Sequence, residues 1–325
     1  MSSFATEYAA LTSGVGMVDF HDRTQIELTG DDRAAFLHNF TTNDIRGLQP
    51  GQGCEAFTLD VRGHIVGHLL VFCTPHSLVL DTVPGQGEKL VRHFDRYLIR
   101  ERVEIHDRTE DWSEILLAGA EAEQLLHELA ESIPANRLDH EQVRLFNQSV
   151  WLRRAEIAGP GSFLIAGEPE AIDAVSIALV AEGATNCSVD AFETVRIEAG
   201  FPWFGRDITE KNLPQEVNRN RQAISFIKGC YLGQETVARI DALGHVNRTL
   251  QSVRFSGDAV PPAGAELRSD AKPVGEVTSA TFSPHLGSPL ALAYIRRGHE
   301  SLGTKLESDF GEAEIIASPS PRIAN

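Results

Sequence analysis

The residue pattern of this 325-residue chain changes near Arg248, and the change limits the folds open to it. Before this point, helix-like and strand-like segments alternate without a regular strand–helix–strand rhythm. After it, short β-rich runs are separated by closely spaced Pro and Gly, which is typical of a small antiparallel barrel or sandwich. We therefore divide the chain into residues 1–247 and 248–325. The first part is large for a single core, so we expect two interleaved subdomains within it.

Residue periodicity predicts the main elements of the N-terminal part. Thr24–Thr29 alternates polar and apolar residues, as a half-buried strand does, and residues 54–59 and 64–72 form a predicted hairpin that turns at Gly63. An amphipathic helix is predicted over residues 85–99. Further helices are predicted at about 4–12, from Asp31 onward, and at 120–132, 169–182, 190–199 and 233–243. Further strands are predicted at 102–106, 114–118, 150–157 and 162–166.

Charge and targeting signals exclude several classes of protein. The chain has 29 Lys and Arg against 46 Asp and Glu, a net charge of −17, which argues against binding nucleic acid or an anionic membrane through bulk charge. It shows no secretory signal and no apolar run of about 18 residues or more. The four cysteines form no C-x-x-C pair, and no histidines have ligand spacing. We therefore expect free thiols, no metal site and a cytoplasmic location.

Positive charge is concentrated between residues 206 and 248. This segment has seven basic and five acidic residues, so it carries +2 while the remainder of the chain carries −19. The same segment is rich in glycine and aromatic residues. An anionic ligand would find its cations here.

The octet Lys-Gly-Cys-Tyr-Leu-Gly-Gln-Glu at 228–235 is the most specific motif in the chain. Gly229 and Gly233 permit backbone angles that other residues resist, so we predict a tight loop that leads into a helix. A thiol just before a helix, two residues from an ammonium group, should have its thiolate favoured. Cys230 and Lys228 are therefore the candidate reactive pair. The alternative is that Cys230 is a small buried apolar side chain on a loop.

Four motifs give the chain a family resemblance. Arg196-x-Glu-Ala-Gly, Gly205-x-Asp-Ile, Gly244-His-x-x-Arg and the N-terminal pattern from Leu28 resemble the glycine cleavage T-protein superfamily, which binds tetrahydrofolate. The octet resembles the signature of one branch, the YgfZ-type folate-binding proteins linked to iron–sulfur cluster assembly and repair. The resemblance runs from about residue 10 to 300. It implies an α+β fold with two intertwined N-terminal domains and a C-terminal antiparallel β-barrel around a central folate site.

The resemblance also implies site residues. Glu198 matches the carboxylate that accepts N–H donors from the pterin ring, although a glutamate near a helix end is commonly solvated. Cations near the site could receive the carboxylates of tetrahydrofolate or a one-carbon derivative, although surface ion pairs are the more common role. Trp203 could stack on the pterin, although core packing is the more common fate of such a ring. The implied folate-binding set is Glu198, Arg196, Tyr231, Gly229, Gly233, Gln234, Glu235, Arg239 and Arg248, with Arg206, Arg219, Arg221 and Lys228 as further candidate cations.

One departure from the superfamily separates two functions. Gly67 and His68 stand where the resemblance places the acidic pair of true aminomethyltransferases. A glycine and a neutral imidazole cannot directly provide the charge support of a carboxylate. We therefore predict a folate-binding accessory protein whose partners are iron–sulfur assembly machinery or client enzymes, with no membrane and no direct tight nucleic-acid binding. Support for tRNA thiomodification would be indirect. The alternatives are an active one-carbon transferase that uses Asp60 or His68, and a tRNA-associated factor.

Overall fold

The computed structural model describes residues 3–319, and this part of the chain is built from helices and strands in alternation. The helices are α1 (Phe4–Thr12), α2 (Arg33–His38), α3 (Gly87–Asp95), α4 (Ala122–Leu129), α5 (Pro169–Ala181), α6 (Val189–Glu198), α7 (Asn220–Ala223) and α8 (Gln234–Leu243), with a 3₁₀-helix at Pro214–Val217. The strands before the barrel are β1 (Gly16–Asp19), β2 (Thr24–Thr29), β3 (Gly53–Leu59), β4 (Ile65–Cys73), β5 (Leu78–Thr82), β6 (Glu104–Asp107), β7 (Ser113–Ala118), β8 (His140–Leu145), β9 (Gln148–Arg154), β10 (Phe163–Gly167) and β11 (Thr185–Asn186).

Two sheets form the N-terminal part, and the chain passes between them twice. The first sheet has the strand order β3-β4-β5-β2-β6, and the second has the order β11-β1-β7-β10-β9-β8. Strand β1 belongs to the second sheet, although the five strands that follow it build the first. This crossing confirms the prediction of two intertwined α+β subdomains.

The C-terminal part is a six-stranded antiparallel barrel, as predicted. Its strands are β12 (Arg248–Phe255), β13 (Glu266–Ser269), β14 (Lys272–Ser283), β15 (Ser288–Arg296), β16 (Lys305–Leu306) and β17 (Ala313–Ile316). They pair in the order β13-β14-β15-β12-β17-β16, and a single bridge between Arg268 and Glu307 nearly closes the ring. Val253, Phe255 and Leu267 belong to the apolar interior of the barrel.

Most local predictions agree with the structure, and the differences have physical causes. Strand β2 has the predicted bounds, and the β3–β4 hairpin turns at Gly63, whose φ is +85°. Helix α3 is shorter than predicted, because tight turns follow it and Tyr97 N–H donates to the Phe94 carbonyl. Strand β5 was not predicted, since its Asp81 interrupts the apolar pattern. That residue is tolerated only because distant side chains bind it.

A buried charge cluster joins the two N-terminal sheets. Arg23 and Asp81 come from the first subdomain, Glu114 and Arg153 come from the second, and all four are at most 4% exposed. Arg153 Nη1 lies 3.1 Å from Asp81 Oδ2 and 3.0 Å from Glu114 Oε1. Gln25 donates to Asp81 over 2.6 Å. The subdomain interface is therefore a set of paired charges and not only apolar packing.

The pKa values of the two acids in this cluster are shifted in opposite directions. Burial and the neighbouring Asp81 raise the pKa of Glu114 well above its ordinary value. Burial alone would raise the pKa of Asp81 as well, but Arg23 and Arg153 hold it below its ordinary value. Asp81 is thus the fixed negative charge that both guanidinium groups share.

An apolar contact joins the barrel to the N-terminal part. Ile197 of α6 packs with Leu250, Leu290, Leu292 and Tyr294 of the barrel. Within residues 3–319, no helix combines the length and the apolar character needed to cross a bilayer.

The charge cluster leads to a stability prediction. We expect Arg153→Met to lower the free energy of unfolding by about 3–5 kcal/mol, because it leaves Asp81 and Glu114 buried without one of their two cations. Arg144→Met is the matched control on the neighbouring strand, since Arg144 is exposed, and it should change stability by about 0.5 kcal/mol or less. Urea unfolding of both variants measures the difference. A similar small loss in both would contradict the role given to the cluster.

Candidate functional site

Lys228 fixes the octet to the first of the two N-terminal subdomains, which contains the sheet β3-β4-β5-β2-β6. Its ammonium group donates to the carbonyl oxygens of His38, Thr41 and Asn43 over 2.6, 2.6 and 2.8 Å, and it lies 4.8 Å from the centre of the Tyr231 ring. Burial lowers the pKa of Lys228 to about 8. These three N–H groups pair with the carbonyl of the last α2 residue and with two carbonyls of the turn after it. Lys228 therefore anchors the loop.

Cys230 lies on the outside of this anchored loop. Its side chain is exposed, unlike those of the other three free cysteines. Tyr231, Leu232 and Gly233 separate it from the first residue of α8, and the charge effect of a helix end falls off within one turn. The described residues show no hydrogen bond between Lys228 Nζ and the thiol. The structure thus shows an accessible cysteine, not the buried apolar side chain of the alternative interpretation.

The two glycines of the octet differ in their surroundings. Gly233 has φ +77°, and a Cβ atom there would lie 2.5 Å from the Asp60 carbonyl oxygen, so the octet presses against the β3–β4 turn. Gly229 has no positive φ, contrary to the prediction, and a Cβ atom would meet nothing within 4 Å. Tyr231 is 9% exposed and packs with Phe57 in an apolar cluster. The Tyr231 ring therefore packs in the apolar core, as such aromatic rings commonly do.

Glu198 is the last residue of α6 and lies where three parts of the chain meet. Its carboxylate is fully buried and accepts hydrogen bonds from the Tyr8 hydroxyl, at 2.9 Å to Oε2 and 3.1 Å to Oε1. Ser283, at the end of β14, donates to Oε1 as well. Burial and this carboxylate raise the pKa of Tyr8. Glu198 is therefore neither solvated nor free, because it joins α1, α6 and the barrel.

Arg196 lies two residues before Glu198 in α6 and binds the 201–207 loop. It donates to Asp207 Oδ2 over 2.8 Å and to the Phe201 carbonyl over 2.7 Å, and it pairs with Glu193 at 2.7 Å. Thr278 of the barrel donates to the other Asp207 oxygen over 2.5 Å. Arg196 is fully buried. Its contacts join α6 to the 201–207 loop and leave the guanidinium group without an open face.

A second buried cluster contains residues that the sequence analysis did not identify as a unit. Glu55 of β3 accepts from His68 Nε2 over 2.7 Å and from Arg219 Nη2 over 2.6 Å, and Arg137 also binds it. The Phe201 ring lies against both His68 and Arg219, with its centre 5.6 Å from the His68 ring and 4.9 Å from the Arg219 guanidinium carbon. One signal was available in the sequence, since Glu55 is a lone acid in an apolar strand.

Burial and ion pairing together set the electrostatics of this second cluster. Burial alone would raise the pKa of Glu55, but Arg219 and His68 hold it well below its ordinary value. Burial lowers the pKa of His68. The cluster therefore contains an ionised carboxylate that two guanidinium groups and a neutral imidazole already bind.

Comparison with known proteins identifies the family. The model of the GCVT N-terminal domain matches residues 1–224, and the model of the glycine cleavage T-protein C-terminal barrel domain matches residues 248–323. The chain belongs to the glycine cleavage T-protein family.

Individual T-protein relatives match nearly the whole chain. A chloroplastic protein of Arabidopsis thaliana, whose name describes it as a transferase, is 28% identical over 97% of this chain and 74% of its own length. An aminomethyltransferase of Nostoc sp. is 26% identical over 100% of this chain and 89% of its own length. The crystal structure of aminomethyltransferase T of the glycine cleavage system from Bartonella henselae superposes with a TM-score of 0.88. It covers 98% of this chain and 90% of that one at 18% identity, which shows the fold.

Within this T-protein fold, most of the predicted folate-tail cations already have partners. Arg248 lies 3.2 Å from Glu216, and Arg206 lies 2.8 Å from Glu193. Trp203 packs beside Phe20 and Phe192 in a core cluster. The predicted residues at the start of α8 are the half-buried Gln234 and the exposed Glu235. Of the predicted folate-tail arginines, only the exposed Arg221 and Arg239 have no ion pair within residues 3–319.

The contrast between the two octet glycines can be tested. We expect Gly233→Ala to lower the free energy of unfolding by about 1–3 kcal/mol, because the backbone is left-handed there and the new methyl group would clash with the Asp60 carbonyl. Gly229→Ala meets no atom and should change stability by about 0.5 kcal/mol or less. Chemical denaturation measures both variants. Equal losses would mean that the octet does not pack against the β3–β4 turn.

Proposed function

We propose that this T-protein family member is a tetrahydrofolate-binding accessory protein of the YgfZ type, which acts in the cytoplasm in iron–sulfur cluster assembly or repair. The observation that carries the proposal is Cys230, an exposed thiol in an octet that Lys228 and Gly233 fix to the N-terminal subdomain. Its partners would be assembly machinery or client iron–sulfur enzymes. Enzymes of tRNA thiomodification would depend on it indirectly, through their clusters.

Glu198 is the proposed pterin-binding residue. An ionised carboxylate has about four acceptor positions, and Tyr8 and Ser283 leave part of that capacity unused. The neighbouring N–H donors of a pterin could use it in a bidentate arrangement. Because Glu198 is fully buried, folate would have to displace the Tyr8 hydroxyl or the Ser283 side chain. The free guanidinium groups of Arg221 and Arg239 fit the carboxylates of a folate tail by charge.

The Glu55–His68 cluster supports a function other than aminomethyl transfer. A transferase needs a carboxylate that is free to stabilise a developing positive charge. Here the position holds His68, and the adjacent carboxylate of Glu55 is bound by Arg219 and Arg137. Asp60 accepts the backbone N–H groups of Arg62 and His64 within its own turn. We therefore propose that folate binding is retained and that true aminomethyltransferase activity is lost.

An active folate-dependent one-carbon transferase is the second candidate. The names of the relatives favour it, since they include aminomethyltransferases. The His68–Glu55 pair would then be the proton-transfer group. An assay with a methylamine donor and tetrahydrofolate separates the two candidates, because product that increases with protein concentration would favour the transferase. Tight binding of bulk tRNA at physiological salt would favour direct action on tRNA.

Folate recognition by Glu198 gives the next prediction. Glu198→Gln keeps the size of the side chain but replaces one acceptor oxygen with a donor group, so we expect tetrahydrofolate affinity to fall roughly tenfold or more. Isothermal titration calorimetry with tetrahydrofolate measures the change. Glu193→Gln is the matched control on the same helix, because Glu193 pairs with Arg196 and Arg206 and does not contact Tyr8 or Ser283, so it should leave the affinity within about twofold. Absence of saturable binding by the unmodified protein would exclude the folate proposal.

The role of Cys230 is tested in cells. We expect Cys230→Ala to abolish rescue of a strain that lacks the corresponding family member, because the accessible sulfur is lost while the fold is retained. Cys187→Ala is the control, since burial raises the pKa of that thiol to about 11 and keeps it unreactive. The readout is the activity of an iron–sulfur enzyme in cell extracts. Full rescue by Cys230→Ala would remove the thiol from the mechanism.

A further inference from the structure

A cavity of about 300 Å³ is lined by none of the residues proposed to bind folate, although Arg221 and Arg239 are sequence neighbours of its lining. It is formed between the end of α8, the 3₁₀-helix, the start of α7 and the barrel. Neither Glu198 nor Cys230 lines it. The residues that line it and carry the argument are Gln215, Asn220, Phe226, Ile240, Val246 and Glu300.

Among residues 3–319, three lining residues each have a buried oxygen without a hydrogen-bond partner. Gln215 is 5% exposed, and its side-chain N–H donates to the Val237 carbonyl over 2.8 Å. That bond fixes the amide so that Oε1 is the unpaired atom. Asn220 Oδ1 and Glu300 Oε2 are buried and unpaired as well. Buried polar atoms are nearly always paired in folded proteins, so three acceptors around one cavity call for a donor.

The charge around the cavity favours a positive ligand. Helix α8 ends at Leu243, and the carbonyl end of a helix carries partial negative charge. Asp241 and Glu300 add carboxylates to the same lining. Arg297 also lines the cavity, and because both Arg297 and Asp241 have exposed side chains that offset each other, Glu300 is the lining charge that carries the argument.

We propose that this cavity binds a small organic cation that carries N–H donors, a primary ammonium or guanidinium compound. Such groups have donors and no acceptors, which complements three unpaired oxygens. Phe226, Ile240 and Val246 provide apolar surface for a carbon skeleton. A calcium ion would need six to eight oxygen ligands, so it fits this lining less well. The cavity volume is at the lower end of the range for ligand sites, which limits the ligand to a small molecule.

Calorimetry with agmatine, which carries both an ammonium and a guanidinium group, tests the proposal on the full-length protein. We expect saturable binding of agmatine at low ionic strength. The uncharged 1,4-butanediol, with a similar carbon chain, should not bind. A parallel titration with calcium chloride separates an organic cation from a metal ion.

Two isosteric substitutions should move the agmatine affinity in opposite directions. Glu300→Gln removes a charged acceptor and should weaken binding roughly tenfold or more. Asn220→Asp adds a charge to the lining and should tighten binding severalfold. Glu307→Gln is the control, because Glu307 is an exposed carboxylate that does not line the cavity, and it should leave the affinity unchanged. Thermal unfolding of each variant verifies that it folds.

Three results would overturn the proposal. The first is the absence of saturable agmatine binding to the unmodified protein. The second is an affinity that stays the same in both Glu300→Gln and Asn220→Asp. The third is saturable binding of calcium without binding of agmatine. None of these results bears on Glu198, so the proposed folate function is tested separately.

Discussion

The buried charge cluster of Arg23, Asp81, Glu114 and Arg153 is the interaction on which the arrangement of the N-terminal part depends. Two sheets that share one chain have to meet at a defined angle, and apolar surfaces alone allow many. Paired charges allow few arrangements, because any displacement leaves a buried charge without its partner. The desolvation cost of the four groups is offset only in the native geometry. The cluster therefore contributes specificity to the fold more than net stability.

Helix α6 connects the N-terminal part to the barrel at the proposed ligand site. Its last turn carries Arg196 and Glu198, whose partners lie in α1, in the 201–207 loop and in the barrel. The same side chains that suit a pterin by charge thus hold three parts of the chain together. Binding at Glu198 and docking of the barrel would then be coupled, since the ligand would replace contacts made by Tyr8 or Ser283.

Local sequence patterns predicted the barrel, the β3–β4 hairpin and α8, because turn residues and periodicity act over a few residues. They predicted Glu198, Arg196 and the octet through motifs, but not the contacts of these residues. Strand β5 and the Glu55 cluster were missed because their stability rests on partners more than 55 positions away, such as Arg219 for Glu55 and Arg23 for Asp81. Likewise, proximity in sequence paired Lys228 with Cys230, whereas the folded chain directs the ammonium group to carbonyls near Thr41.

That change in the role of Lys228 affects the chemistry proposed for the octet. A lysine that activates a thiol has to approach the sulfur, and three carbonyl oxygens instead hold this one inside the loop. These contacts hold the Lys228 side chain in one conformation, and they fix the position of Cys230 relative to the first N-terminal subdomain. The exposed sulfur then needs no internal base, because a partner's thiol or metal centre can provide the chemistry. A fixed, accessible cysteine would suit the proposed accessory role, and it would be a weaker arrangement for an enzyme that completes its reaction alone.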